Sequence, residues 1–236
     1  ILQVEGNLIG NINDIKSCTI KAILSSSDIS IYGLKVKDFL MNYNQKDGIA
    51  EVSLIHSSLY DGTINAIARM NLASENLPYW VNADIQGVKI EKLKMDTAAK
   101  NKDITGTIQA QGKINGFSSD LSKLNGTGKI FVTEGKLWQL NLFQGLGSLL
   151  FAEDFANIIF TEGYCDFTIQ NKYISTDNLI LKSDITDLSG PVKIGFDGSI
   201  DASLNVKVLD EMVPLTGTFK DVTTAIIGQA GRFGVI

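Results

Sequence analysis

The sequence predicts a mainly β protein, a long antiparallel meander curved into an open trough or half-barrel, and three observations predict it. Apolar and polar residues alternate with period two over many segments. Gly and Asp or Asn pairs punctuate the intervals. Only 20% of the 236 residues are charged, against about 25% in an ordinary soluble domain. Asn, Ser, Thr and Gly stand in for the missing charge, a surface suited to many short strands.

From the N-terminus, residues 2–9, 18–24, 28–36 and 49–56 alternate and read as strands. Residues 60–72 are cleaner: Tyr60, Gly62, Ile64, Ala66, Ala68, Met70 and Leu72 share one parity, and Thr63, Asn65, Arg69 and Asn71 the other. A strand over 79–87 and a short connecting helix over 88–96 follow. In residues 104–114, Ile104, Ile108, Ala110 and Ile114 oppose Gln109, Gln111 and Lys113. A second short helix fits 118–124, and 128–132 is again a strand. Residues 138–150 space Leu142, Phe143, Leu146, Leu149 and Leu150 as an apolar helix, which Gly145 and Gly147 weaken by about 1 kcal/mol each relative to Ala. Strands resume at 164–170, 173–182, 192–196 and 198–208. In the last of these Ile200, Ala202, Leu204 and Val206 oppose Asp201, Ser203, Asn205 and Lys207. A final helix is predicted over 221–230, capped by Asp221.

Lys46-Asp47-Gly48, Asp61-Gly62, Asn115-Gly116, Glu134-Gly135 and Asp197-Gly198 supply the positive φ angles of hairpin turns. Gly62-Thr63, Gly106-Thr107, Gly126-Thr127 and Gly217-Thr218 each open a run at unequal intervals, a quasi-repeat and not a solenoid of fixed period. The chain reads as one elongated β domain over 1–236, divisible into groove units over 1–116 and a helix-capped unit over 117–236. It begins at Ile1 with no signal-peptide pattern, so we expect it to belong to a longer chain whose anchor or export signal lies upstream.

The net charge of −5 and a pI near 4.9 argue against nucleic acid, which calls for a basic stripe. Only Arg69 and Arg232 are arginines, so no paired-arginine phosphate clamp is expected. His56 is the single histidine, placed by parity beside Val52 and Leu54 and expected to be structural; no metal site and no cofactor are expected. Cys18 and Cys165 lie far apart in sequence, and a disulfide between them stays open. Gly126-Thr127-Gly128-Lys129 imitates a phosphate loop, but Ile130 follows the lysine and the segment continues as a strand. Gly-x-Ser-x-Gly is absent, and Asp14, Asp28, Asp47, Asp61, Asp103 and Asp197 are explained by turn chemistry. The chain is expected not to be an enzyme. A hydrolase would need two acids within about 10 Å in a cleft.

The apolar face then has two readings, the inside of a closed sandwich or barrel and an open trough. Residues of mixed size on that face, with Ala66, Ala68, Ala110 and Gly112 beside Ile64, Ile108 and Ile114, favour the trough. So does the low aromatic content of 8%.

The order of motifs resembles the C-terminal region of AsmA-like proteins. The run from Leu59-Tyr60-Asp61-Gly62-Thr63-Ile64-Asn65-Ala66 to Tyr79-Trp80-Val81-Asn82-Ala83-Asp84-Ile85-Gln86-Gly87 and Val88-Lys89-Ile90 carries it. Ile104-Thr105-Gly106-Thr107-Ile108, Leu124-Asn125-Gly126-Thr127-Gly128-Lys129-Ile130, Glu134-Gly135-Lys136-Leu137 and the apolar segment after it continue the match. Leu179-Ile180-Leu181 and Leu188-Ser189-Gly190 extend it, so roughly residues 50–220 are covered. This family is related to TamB- and YhdP-type envelope proteins and belongs to the bridge-like lipid transfer proteins. The resemblance implies an inner-membrane anchor, a periplasmic body of β-units, and an apolar trough conveying phospholipid acyl chains, with no catalytic residues. On that implication the lipid path is expected along Ile64, Ala66, Ala68, Met70, Ile108, Ala110, Ile114, Ile200, Ala202, Leu204 and Val206. The expected partners are phospholipid or another acyl lipid, the membrane through an anchor outside these residues, and other envelope proteins. The alternative is a non-catalytic envelope scaffold or protein-interaction module with a closed β core. Residues 137–152 would cap one end of the trough or lie in a membrane interface.

Overall fold

A computed structural model describes residues 1–118, 120–136, 159–184, 186–208 and 225–227. Its strands are β1 (Gln3–Ile9), β2 (Thr19–Ile31), β3 (Leu34–Lys46), β4 (Ile49–Leu59), β5 (Gly62–Asn71), β6 (Pro78–Lys89) and β7 (Thr105–Phe117). They continue as β8 (Asp120–Lys136), β9 (Glu162–Gln170), β10 (Tyr173–Lys182), β11 (Thr186–Gly195), β12 (Ile200–Ala202), β13 (Leu204–Val208) and β14 (Ala225–Ile227). All fourteen form one antiparallel sheet in chain order, except that β12 and β13 both pair with β11. β1 and β14 stand at opposite ends, and the sheet does not close into a barrel. The closed-core alternative is thereby corrected.

Tight turns set this order. Tyr32-Gly33, Asp47-Gly48, Tyr60-Asp61 and Asn171-Lys172 each place two successive residues at positive φ, between 46° and 86°. That is the twist that joins neighbouring strands through two residues. Tyr32-Gly33 divides the strand expected over 28–36 into the end of β2 and the start of β3. Asn115-Gly116 is no turn; it lies inside β7, and the chain reverses after Phe117. The helix expected over 118–124 is instead the start of β8, because Phe117 pairs with Asp120 and Asn115 with Asn125. The strand expected over 198–208 is broken at Ser203, whose N–H reaches Pro191 O at 3.0 Å. Ala225–Ile227 pairs with β13, a strand where a helix was expected; the rest of 221–230 and all of 138–150 lie outside the described residues.

Among the described residues helix is confined to short connections: 3-10 turns over Ile12–Ser17 and Lys94–Asp96, and one α-helical turn, α1 (Ile90–Leu93). The last two fall where 88–96 was expected to be helical.

Curvature comes from bulges, which bend a strand and add twist. β4 carries an extra residue between Val52 and Ile55, β6 between Ile85 and Val88, and β8 between Thr133 and Lys136. Gly87 and Glu134 take positive φ at two of them, and Asp38 does so at a register shift in β3. Three of these shifts lie near one flank of the sheet, which therefore curls inward.

Two apolar clusters fill that curled flank. Ile90, Ile104, Phe160, Leu181, Leu188, Val192 and Leu204 make one; Val36, Leu59 and Val88 make the other. The connection from β6 to β7, residues 90–104, supplies Ile90 and Ile104 to the first and Leu93 to the rim of the second. It lies over the trough as a strap.

Candidate functional site

Residues directly opposed across antiparallel strands carry their side chains on the same face, so register traces rows across the sheet. One row runs Gly6–Ala22–Tyr43–Val52–Ala68–Val81–Ile114–Gly126–Ile169–Ile174–Ile194–Ile200. At about 4.8 Å per strand it is an apolar line of about 50 Å, interrupted by one phenol. Beside it runs Val4–Leu24–Met41–Ile55–Ala66–Ala83–Gly112–Gly128–Phe167. A third row, Ser57–Ile64–Ile85–Ala110–Ile130–Cys165, borders the curled flank.

Burial separates two zones of this face. Ile64 and Ile108 pack on the Val36–Leu59–Val88 cluster, and Ile108, Ile200 and Ala202 pack on the other, to which Leu204 belongs at 4% exposure. Those five expected path residues serve the protein's own core. Ala66, Ala68, Met70, Ala110 and Ile114 belong to neither cluster and are half-buried. They line the stretch that the described side chains leave uncovered. Val206 sits in β13 opposite Leu188; its side chain lies outside the described residues. Sequence parity placed Gly112 on this face but missed Val81, Ala83, Ile85, Gly128, Ile130, Phe167 and Ile169, which share it. Counting outward from the hairpin turns would have found them.

The strap is pinned at its edges by polar contacts. Asp96 receives Lys35 Nζ at 3.0 Å and Tyr60 Oη at 2.8 Å, while Lys35 N–H donates to Tyr60 Oη at 3.0 Å. The Lys35 ammonium, then the Tyr60 hydroxyl, hold the Asp96 carboxyl below its ordinary value. The same bond raises Lys35, and burial pushes the Tyr60 phenol up. Lys92 pairs with Asp61 and Lys136 with Asp103, and Glu91 accepts from Gly106 N–H at 3.3 Å. Exposed pairs of this kind add little each, but five contacts from β3, the β4–β5 turn, β7 and β8 fix one short segment over the two clusters.

The opposite face is polar, with rows Asn65–Asp84–Gln111–Lys129–Asp166 and Ile67–Asn82–Lys113–Thr127–Thr168–Ser175. A shallow depression of about 530 Å³ lies between them, floored by Ala66, Ala83, Gly112 and Gly128. Those residues send little or no side chain to the other face, so the sheet is thin there. His56 belongs to this polar face, its Nδ1 2.7 Å from Asn65 Oδ1. Parity had grouped it with Val52; the β4 bulge puts the two on opposite faces. Cys18 is buried and Cys165 half-buried, both as free thiols, with burial pushing the Cys165 thiol up.

Among the described residues no helix is long and apolar enough to cross a membrane. No curated relative and no solved structure matches the chain. The sequence pattern of the AsmA family matches residues 14–169, which spans β2 to β9, the uncovered stretch and the strap. The chain belongs to the AsmA family.

Proposed function

We propose that this chain shelters phospholipid acyl chains on the apolar face of its open trough, as a non-catalytic element of lipid passage between the membranes of a cell envelope. The observation that carries the reading is the uncovered stretch, where Ala66, Ala68, Met70, Ala110 and Ile114 stand half-buried with no facing layer among the described residues. Covering a methylene is worth about 0.8 kcal/mol, so an unbroken apolar line holds a chain without a deep pocket. The headgroup stays in solvent, which explains why the lining needs no arginine. Membership in the AsmA family supports an envelope role. On this reading the chain works in the periplasm, tethered to the inner membrane by a segment outside these residues, beside other envelope proteins.

The test is purification in mild conditions with mass spectrometry of co-eluting phospholipid. Photo-crosslinkers at Ala66 and Ala110 should label lipid, and those at Asn65 and Gln109 should not. Ala202 packs on the core cluster and should label more weakly than Ala66. Absence of lipid, or equal labelling of both faces, overturns the proposal.

A further inference from the structure

Within the row Val4 to Phe167 the residues change size abruptly. Met41 and Ile55 are bulky; Ala66, Ala83, Gly112 and Gly128 then give a hollow, and Phe167 ends it. The ring of Phe167 does not stand upright. A Cβ placed on Gly128 would lie 2.5 Å from its Cζ, so the ring is folded over the Gly128 backbone. The same Cζ lies 3.9 Å from where a Cβ on Gly112 would be, so the ring's tip reaches the next strand back. The ring occupies the far end of the hollow.

Free length therefore runs from Ile55 on β4 to Gly112 on β7. Three strand spacings of about 4.8 Å make about 14 Å. One acyl chain covers half of a bilayer's hydrocarbon core of about 30 Å, or about 15 Å. The two lengths agree. Without the ring the hollow would continue two more strands, about 10 Å further.

We propose that Phe167 sets the length of acyl chain the uncovered stretch accepts, its ring acting as the end-stop of a hollow that holds one chain. This rests on the lipid-sheltering reading and adds a specificity-determining residue to it. Up to the stop, each added methylene finds cover and tightens binding about fourfold, the equivalent of about 0.8 kcal/mol. Beyond it, further methylenes stay in water and add nothing.

The experiment uses the full chain and saturated single-chain lysophosphatidylcholines of about 10 to about 20 carbons, so that the fourfold step is read from dissociation constants below the micelle threshold. Wild type should show a rise and then a plateau. Phe167→Ala should carry the rise at least two carbons further, and Phe167→Leu should fall between them. Phe131→Ala removes a ring from the polar face of the adjacent strand and should leave the plateau where it was. A plateau unmoved in Phe167→Ala, or a wild-type rise without one, overturns the end-stop while leaving the lipid reading in place. If wild type binds none of the probes, the lipid reading fails first and the end-stop falls with it. Phe167→Leu keeps an apolar cover on Gly128, so the comparison survives a failure of the alanine variant to fold.

Discussion

Gly62 and Gly112 lie in neighbouring hairpins of one sheet, and the same substitution should move stability in opposite directions at the two. A Cβ on Gly62 would meet Gln86 O at 2.4 Å, Val88 N at 2.5 Å and Gly87 C at 2.6 Å. All are backbone atoms of the β6 bulge, held in a ladder and unable to retreat cheaply. Overpacking of this kind costs about 1–3 kcal/mol. Pushing the turn away also loosens the Lys89 N–H to Tyr60 O bond of 3.0 Å, worth about 1 kcal/mol. Gly62→Ala should thus lose about 3 kcal/mol, which for a chain of this size lowers Tm by about 6–12 °C. A Cβ on Gly112 meets only ordinary contacts, Thr127 O at 3.6 Å and Phe167 Cζ at 3.9 Å. Neither glycine needs a positive φ. Gly112→Ala should then gain about 0.5 kcal/mol by restricting the unfolded chain. Urea and thermal melts followed by circular dichroism measure both, and amide exchange at Lys89 localises the first. Equal losses in the two variants would show that the β6 bulge does not grip the β4–β5 turn.

Leu188→Ala opens a cavity in the flank cluster at a residue 2% exposed and should cost about 2–5 kcal/mol in a urea melt; a loss under 1 kcal/mol would mean that the cluster is loosely packed. Asp96→Asn removes the charge that latches the strap. Because the folded carboxyl sits below its ordinary value, the wild-type advantage is present above about pH 4 and fades as pH falls through the folded value. Melts of the pair across acid pH check this, and a gap that widens on acidification refutes the latch. Cys165, pushed up by burial, should react with iodoacetamide more slowly at neutral pH than the same thiol in urea; equal rates would count against its half-buried place on the apolar face.

The strands were legible because parity survives wherever a one-sided sheet is built: Ile64–Ala66–Ala68–Met70 and Ile108–Ala110 face where alternation puts them. Parity misled at the bulges, since one extra residue exchanges the faces beyond it, which is how His56 parted from Val52. The turn at Tyr32-Gly33 was hidden inside an expected strand, and the turn expected at Asp61-Gly62 sits one residue earlier, on Tyr60-Asp61, because residues other than glycine hold positive φ there. The strap left only a faint trace. Ile90 and Ile104 are distant in sequence and meet one cluster only through tertiary packing. Nor could alternation reveal that five of the expected path residues belong to the core, because burial against a neighbour and exposure to a ligand demand the same apolar side chain.

Strand order equals chain order from β1 to β11, so each strand leans on its sequence neighbours and on little else. Such a ribbon resembles a repeat array, in which stability accumulates from one neighbour to the next. Inserting or deleting a hairpin changes the length of the apolar line by about 10 Å without rewriting any distant contact. The reach of the molecule is thereby an evolvable quantity, adjusted two strands at a time. The strap is the exception: it binds β3, the β4–β5 turn and β8 to one segment, and insertions between those strands should be the ones selection resists.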